Sequence, residues 1–176
     1  TYRVDGSSKF LSKNKWASFP SVSGAWRLSE EGFMDSFTFL DDLKLRAGWG
    51  QLGTQELPSD AYLSKLGNNY YVFGDGNGNI VNTSEPSQVK NEDLKWETVE
   101  DINIGMDFTL LNNKLSGSVE YYRKNTYDML FRMPYPLYSG YPNGAQIWSN
   151  IGSMKSSGWE FALNYRNQVG DFKYDV

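Results

Sequence analysis

The sequence predicts an all-β fold built from antiparallel, up-and-down strands. The first observation is a period-two alternation of apolar and polar residues in several segments, which is typical of strands with one apolar face. The second is the length of the connections, because short polar turns alternate with long segments rich in Gly, Asn, Pro, Ser and Tyr. No long stretch keeps the 3.6-residue period of a helix. These features indicate about seven strands, of which the first and last are cut short.

The alternating runs follow one another along the chain with recognisable turns between them. The connection from Ser29 to Leu43 contains the best candidate for a short turn of helix. The polar triplet Asn112–Lys114 predicts a tight turn, and a last strand is expected from Asp171 after the turn NQVG. The five clear runs lie at residues 22–28, 43–49, 103–110, 115–122 and 159–165.

The connections predict which side of a membrane each strand end would face. Two long loops, roughly Gln51–Lys95 and Thr126–Ile147, alternate with short turns. Outer-membrane barrels have this asymmetry, with short periplasmic turns and long extracellular loops. The run Asp101–Leu110 holds ten residues, and a tilted strand needs about 9–11 residues to cross a bilayer. The pattern favours a membrane barrel, although by itself it leaves a soluble antiparallel β protein open.

The two faces of the predicted strands also suit a barrel with a wet interior. Aromatic residues lie near strand ends, as in the girdles at membrane interfaces: Trp49, Trp96, Phe108, Tyr121, Tyr127, Trp159 and Tyr174. The polar faces mix Asn, Ser, Thr and Gly with single charges, namely Arg46, Asp107, Glu120, Glu160 and Arg166.

Composition excludes several classes of function. The net charge is −4 and the pI about 4.9, which argues against a nucleic-acid-binding surface. The absence of His and Cys removes the common nucleophile systems and nearly every transition-metal site. We therefore predict no catalytic residues, no metal and no cofactor. No run of about eighteen apolar residues is present, so no membrane-spanning helix is expected.

Two acidic patterns are better explained as turns than as a calcium site or a pair of catalytic carboxylates. Asp75, Asn77 and Asn79 alternate like the start of a calcium loop, but the sixth position is Ile80 where glycine is required, and the twelfth is Pro86. We expect a glycine-rich hairpin tip there. The adjacent acids Glu30–Glu31 and Asp41–Asp42 cannot easily face each other across a substrate, so solvated turns are expected.

Four segments, in order, resemble the C-terminal barrel region of the SusC/RagA-type TonB-dependent outer-membrane transporters. The longest is NEDLKWETVEDINIGMDFTLLNNKLSGSVEYYRKNTYDML, residues Asn91–Leu130. The other three are FPSVSGAWRLSEEGFM (Phe19–Met34), LKLRAGWGQLG (Leu43–Gly53) and NIGSMKSSGWEFALNY (Asn150–Tyr165). The four blocks cover most of the chain with family-like spacing.

The resemblance implies a transmembrane β-barrel of about twenty-two strands with a plugged lumen, in the bacterial outer membrane. Residues 1–176 would form one segment of that barrel domain, without the plug, the TonB-contacting segment or the closing strand. Family members import oligosaccharides, or in some members peptides. The implied partners are a SusD-like surface lipoprotein, TonB, outer-membrane lipid and the substrate. The alternative is a soluble β-rich carbohydrate-binding or adhesion module.

Aromatic side chains in the two long loops are the best candidates for substrate contact. Their rings could stack on sugar faces while neighbouring Asn and Asp side chains bind hydroxyl groups. The alternative is that the rings pack the loops against each other or against the lipoprotein. The candidates are Tyr70, Tyr71, Phe73, Tyr138, Tyr141 and Trp148.

Overall fold

A computed structural model describes residues 1–72, 78, 80–142, 144–169 and 172–176. Within these residues the chain forms eleven strands and two short 3-10 turns, at Leu28–Glu30 and Leu137–Ser139. None of the helical segments described has the length and apolar character required of a transmembrane helix. The strands are β1 Tyr2–Gly6, β2 Trp16–Arg27, β3 Leu40–Thr54, β4 Lys65–Val72, β5 Ile80–Val89, β6 Glu97–Leu110, β7 Leu115–Tyr127, β8 Leu130–Pro134, β9 Gln146–Asn150, β10 Met154–Val169 and β11 Phe172–Asp175.

Seven of these strands form one antiparallel sheet in the order β1-β2-β3-β6-β7-β10-β11. Consecutive strands of this sheet are neighbours in the chain once the two long insertions are set aside, which is the up-and-down arrangement that the alternation predicts. The sheet does not close on itself, since β1 and β11 are its two edges. The prediction of an all-β fold with antiparallel, up-and-down strands is therefore confirmed, and the main sheet has seven strands, although the described residues form eleven strands in all.

The tight turn between β6 and β7 depends on residues that tolerate a left-handed backbone. Leu111, Asn112 and Asn113 have φ values of 59°, 57° and 62°, a region that asparagine adopts more readily than most residues. The Asn113 amide donates to the Asp41 carboxylate at 2.9 Å, and the Leu111 amide donates to the Phe39 carbonyl at 3.0 Å. These bonds tie the turn to the start of β3 and to the end of the β2–β3 connection, and they fix the β6–β7 register.

The β2–β3 connection contains a 3-10 turn followed by open turns. Successive amides donate to carbonyls three residues earlier: Glu31 to Leu28, Met34 to Glu31, and Phe37 to Met34. Such i→i+3 bonds give single turns that do not extend into an α-helix. The short helical turn expected between Ser29 and Leu43 is thus limited to residues 28–30.

The two long segments carry strands that the sequence did not predict. Strands β4, β5, β9 and β8 form a second sheet in that order. Within it, β5 and β9 pair in parallel over only two positions, Gln88↔Gln146 and Val89↔Ile147. Parallel pairing of segments so far apart in the chain produces no recognisable pattern in the local sequence. The hairpins β4–β5 and β8–β9, in contrast, pair strands that are close in the chain.

The buried core lies where the long segments meet the main sheet, beside the end of β3 and the start of β6. Phe10 and Phe19 pack on Trp96 with ring centroids 5.3 Å and 5.7 Å apart, and Leu94 is only 1% exposed. We define this group as the base cluster: Phe10, Phe19, Leu57, Ala61, Leu94 and Trp96.

Candidate functional site

One side of the main sheet is apolar, and none of the residues that the structure describes form a layer over it. Ile104, Trp159 and Phe161 are 55%, 63% and 73% exposed on this side, and large apolar surfaces on monomers indicate contact with a membrane or a partner. We call this surface the apolar band. Its residues, aligned by the strand register, are Val22, Gly24, Trp26, Leu43, Leu45, Ala47, Trp49, Ile102, Ile104, Met106, Phe108, Leu110, Leu115, Gly117, Val119, Tyr121, Trp159, Phe161, Leu163 and Tyr165.

The dimensions of the apolar band fit a bilayer. From Ile102 to Leu110 the chain advances eight residues, or about 26 Å along the strand. At a strand tilt of about 40° this corresponds to about 20 Å along the membrane normal, close to the apolar band of outer-membrane barrels. The twenty positions of the band include no charged residue, so the surface suits hydrocarbon.

The opposite side of the main sheet is polar and carries small side chains. Ser21, Ser23, Gly48, Gly50 and Asn103 line one shallow depression on it. Asp107, Ser116, Ser118 and Asn164 line another nearer the short turns. This composition fits a hydrated barrel interior, because lumen-facing positions of such barrels are polar.

An arginine on this inner face reaches across a whole strand. Arg46 of β3 lies opposite Gly105 of β6, which in turn lies opposite Glu120 of β7. The Arg46 guanidinium pairs with the Glu120 carboxylate and lies 3.3 Å from the Asp107 carboxylate. Asn103 donates a further hydrogen bond to Glu120. Because Gly105 has no side chain, the guanidinium can lie over the middle strand.

Adding a methyl group at Gly105 is expected to break this bridge. A Cβ there would lie 2.8 Å from the Arg46 guanidinium carbon, so the arginine must swing away from Glu120. We expect Gly105→Ala in the full-length protein to lower the free energy of unfolding by about 1 kcal/mol, since the pair is partly hydrated. Urea unfolding in lipid vesicles measures this difference.

Gly24 provides a matched control, since a Cβ built there meets nothing within 4 Å. Gly24→Ala should leave stability unchanged or slightly raised, because alanine loses less backbone entropy than glycine on folding. Equal losses for the two variants would contradict a specific role for the bridge across Gly105.

Side-chain amides join the two long segments to each other. The Asn150 amide group donates to the carbonyls of Lys95 and Asp128, each at 2.8 Å, and its oxygen accepts from the Lys95 amide at 2.9 Å. The Asn91 amide group donates to the Trp148 carbonyl at 2.7 Å. These bonds satisfy backbone groups that irregular segments would otherwise leave unpaired, so they join the described parts of the two long segments into one layer.

The first long segment is stabilised from within. The buried Gln88 side chain donates to the carbonyls of Asp60, Ala61 and Leu63 at 2.9–3.2 Å. The Lys65 ammonium donates to the exposed Asp60 carboxylate at 2.6 Å, and this hydrogen bond lowers the pKa of that carboxyl. The contribution of the pair is present at neutral pH and is lost as the pH falls through the lowered pKa.

The structure places two predicted aromatic residues of the first long segment, Tyr70 and Tyr71, near the end of the β4–β5 hairpin. Tyr70 and Tyr71 lie near the end of β4 and are 69% and 58% exposed. Phe73 lies outside the described residues, as do Asp75, Asn77 and Asn79 of the rejected calcium loop.

The aromatic residues of the second long segment have three different environments. Tyr138 lies in the 3-10 turn and is 93% exposed. The Tyr141 ring packs edge-on against Tyr135 at 5.0 Å. Trp148 lies on β9 and packs against the base cluster.

Tyr70 and Trp148 do not lie in one site. Tyr70 lies opposite Asn82 on β5, six residues from Gln88, where β9 is joined. At about 3.3 Å per residue this places the tip roughly 20 Å from the β5–β9 contact along the strand. Trp148 lies two residues farther still in the same direction. Tyr70 therefore lies near the tip of the β4–β5 hairpin, and Trp148 lies in a separate region beside the base cluster.

Acidic residues near the short turns have structural partners. Glu31 accepts a hydrogen bond from the Trp26 indole at 2.8 Å, and Asp42 accepts one from the Ser29 hydroxyl at 2.9 Å. Asp42 also pairs with Arg27 at 3.3 Å. Among the described residues no group of three His, Cys, Asp or Glu side chains could hold a metal ion.

Comparisons with known proteins agree with this geometry. The family model described as TonB dependent receptor-like, beta-barrel matches residues 1–176. The chain is 40% identical over 182 residues to the TonB-dependent receptor SusC of Bacteroides thetaiotaomicron, covering 100% of this chain and 18% of that protein. It is 38% identical over 167 residues to the TonB-dependent receptor P3 of Formosa agariphila, covering 95% of this chain and 16% of that protein.

A solved structure shows the same fold. The RagAB peptide importer in the 'closed-closed' state superposes with a TM-score of 0.79 at 30% identity, covering 97% of this chain and 18% of that chain. The chain therefore spans less than a fifth of the length of the relatives it matches.

Proposed function

Because the chain belongs to the TonB-dependent receptor-like β-barrel family, we propose that it forms part of the wall of an importer that takes up oligosaccharides or peptides. Its relatives are outer-membrane receptors and transporters rather than enzymes, and the chain is a segment of an outer-membrane β-barrel. The observation that carries the proposal is the pairing of an uncovered apolar band with a polar inner face on one sheet. Such a wall separates lipid from a hydrated path.

The proposed orientation in the membrane follows from the connections at the two ends of the main sheet. The ordered layer of long segments would face the outside, where a substrate first meets the importer, and a SusD-like lipoprotein would cover it. Energy would reach the barrel through TonB and a plug in the lumen. The support for a lipoprotein partner is the similarity to SusC and to the RagAB importer. The substrate class stays open between oligosaccharides and peptides.

The alternative of a soluble carbohydrate-binding or adhesion module does not fit the apolar band. A soluble module would bury Trp159, Phe161 and Leu163, which are 63%, 73% and 68% exposed. Instead, the buried residues concentrate in the base cluster at one end of the sheet. The outer-membrane location of the family leads to the same conclusion.

Uptake by the full-length protein tests the proposal. Cells that express it should take up labelled oligosaccharides or peptides larger than porins admit, and a TonB deletion or a protonophore should abolish that uptake. A tag on the full-length protein should also recover a surface lipoprotein from detergent extracts. Uptake that persists without TonB would contradict the proposed mechanism.

An exposed aromatic residue offers the sharpest test of substrate contact. Tyr138 is 93% exposed, so removing its ring should leave the fold intact. We expect Tyr138→Ala to weaken substrate binding about fivefold, as for an aromatic contact at an interface, when binding to the purified complex is measured by calorimetry. Trp148→Ala is a less clean test, because that ring also packs on the base cluster. Unchanged affinity would remove Tyr138 from the candidates.

A further inference from the structure

On β7 and β10 the apolar band ends at Tyr121 and Trp159, one row before it ends on β3 and β6 at Trp49 and Ile102. There the register aligns Trp49, Ile102, Arg123 and Ser157 in one row across β3, β6, β7 and β10. Arg123 is the first charged residue on this side of the sheet. In outer-membrane barrels the long-loop end lies in the outer leaflet, so this row lies at the depth of the lipid headgroups.

A second cation lies beside the first. Lys155 lies opposite Asn125 on the same side of the sheet, diagonally adjacent to Arg123. Diagonal neighbours on paired strands are about 7–8 Å apart, within reach of one another's long side chains. Ser157 lies directly opposite Arg123, so the register places two cations and one hydroxyl at neighbouring positions on this face. All three residues are exposed.

The charges of these two cations are not neutralised by direct ion pairs. Among the described residues neither Arg123 nor Lys155 has a carboxylate within 4 Å. Glu100 is the nearby acid on this side, and its carboxylate accepts hydrogen bonds from the Trp49 indole at 2.9 Å, and from the Asn125 amide and Tyr127 hydroxyl at 3.3 Å each. The charge of Arg123 also acts on this carboxylate, but neither cation forms a direct ion pair with it.

The surface next to the cations suits acyl chains. The Trp159 ring stacks on Phe161 with an interplanar angle of 17° and a centroid distance of 6.3 Å, and Tyr121 packs on Trp159 at 5.0 Å. These rings continue directly from Ser157 and Arg123 along β10 and β7. A ligand with an anionic head and apolar tails would contact both the cations and the aromatic rings. Free phosphate would contact only the cations.

We propose that Arg123, Lys155 and Ser157 form a binding site for the phosphate of a phosphorylated lipid in the outer leaflet, whose acyl chains lie along Tyr121, Trp159 and Phe161. Phosphate oxygens accept hydrogen bonds from the guanidinium, the ammonium and the hydroxyl. The inference rests on the membrane orientation of the sheet and not on the transported substrate.

Native mass spectrometry of the full-length transporter with added lipid A tests the proposal. We expect the wild type to retain diphosphorylated lipid A in preference to its dephosphorylated form. Each cation near a membrane surface contributes about a fivefold gain in affinity, so the double variant Arg123→Gln/Lys155→Gln should bind about 25-fold more weakly. Lys124→Gln is the matched control, because Lys124 neighbours Arg123 on the inner face and should bind as the wild type does.

Three results would overturn the inference. The first is equal retention of lipid A by the double variant, and the second is equal binding of dephosphorylated lipid A by the wild type. The third is displacement of lipid A by inorganic phosphate at millimolar concentration, which would show a site for the free ion. Arg123→Lys, which keeps the charge, should retain binding and exclude misfolding as the cause of a loss. Uptake assays on the same variants separate failure of this site from failure of the proposed transport.

Discussion

Replacing Val119 with arginine is expected to destabilise the barrel by about 2–4 kcal/mol, because it places a charge at the midplane of the bilayer. Val119 lies on the apolar band at the centre of the sheet, opposite Met106 on β6 and Phe161 on β10. An arginine side chain at this position cannot extend to water, whereas an arginine at the edge of the band could snorkel to the membrane interface. The folded fraction in outer membranes, measured by heat-modifiable gel mobility of the full-length protein, should fall sharply.

The neighbouring residue provides the control for this prediction. Ser118 lies on the same strand but on the inner face, opposite Asp107. Ser118→Arg introduces the same side chain into a hydrated surface beside a carboxylate, so its effect on the folded fraction should be small. Equal loss in both variants would contradict the assignment of the two faces.

Truncating Trp96 to alanine is expected to cost about 3–5 kcal/mol of local stability, as for other large aromatic residues in packed cores. The Trp96 ring is 7% exposed and contacts the rings of Phe10 and Phe19. Because the base cluster lies where the long segments meet the main sheet, the loss should loosen the β4-β5-β9-β8 sheet and leave the membrane-spanning strands folded. Hydrogen exchange of that sheet should increase while heat-modifiable mobility stays unchanged.

Trp16→Ala is a suitable comparison for Trp96→Ala. Trp16 is 65% exposed and is not in the base cluster, so its loss should leave exchange in the β4-β5-β9-β8 sheet unaffected. Faster exchange in both variants, or loss of the whole barrel in Trp96→Ala, would show that the base cluster does not separate the two sheets energetically.

The main sheet could be predicted from the sequence because the alternation of apolar and polar residues in each strand shows which face of that strand is apolar. In β6 the apolar residues Ile104, Met106 and Phe108 alternate with polar or small ones, and a shift of one residue would expose the polar set to lipid. The turn at residues 111–114 then fixes how β6 meets β7. Local pattern and local turn chemistry were sufficient there.

The layer of long segments could not be predicted in the same way. The pairing of β5 with β9 covers two residues in each strand, and it depends on contacts such as Asn150 with Lys95 that join distant parts of the chain. The bridge from Arg46 to Glu120 was missed for a similar reason. Both charges were visible on the polar face, but their contact requires the register of three strands and the absence of a side chain at Gly105.

The roles of the loop aromatic residues stay predictions. Tyr70, Tyr71 and Tyr138 are exposed as a ligand-binding role requires, whereas Trp148 packs on the base cluster. Sequence alone places an aromatic residue in a loop without saying which side of that loop it covers, because loop segments lack the two-residue period that assigns faces to a strand.

The central claim is that one side of the main sheet faces lipid and the other faces water. The chain contains no cysteine, so single cysteines can be placed along β6 in the full-length protein, with any native cysteines elsewhere replaced, and labelled with nitroxides in lipid vesicles. We predict alternating collision rates: labels at 104, 106 and 108 should favour oxygen, and those at 103, 107 and 109 a water-soluble nickel complex. Uniform accessibility to the nickel complex, or the opposite alternation, would contradict the account.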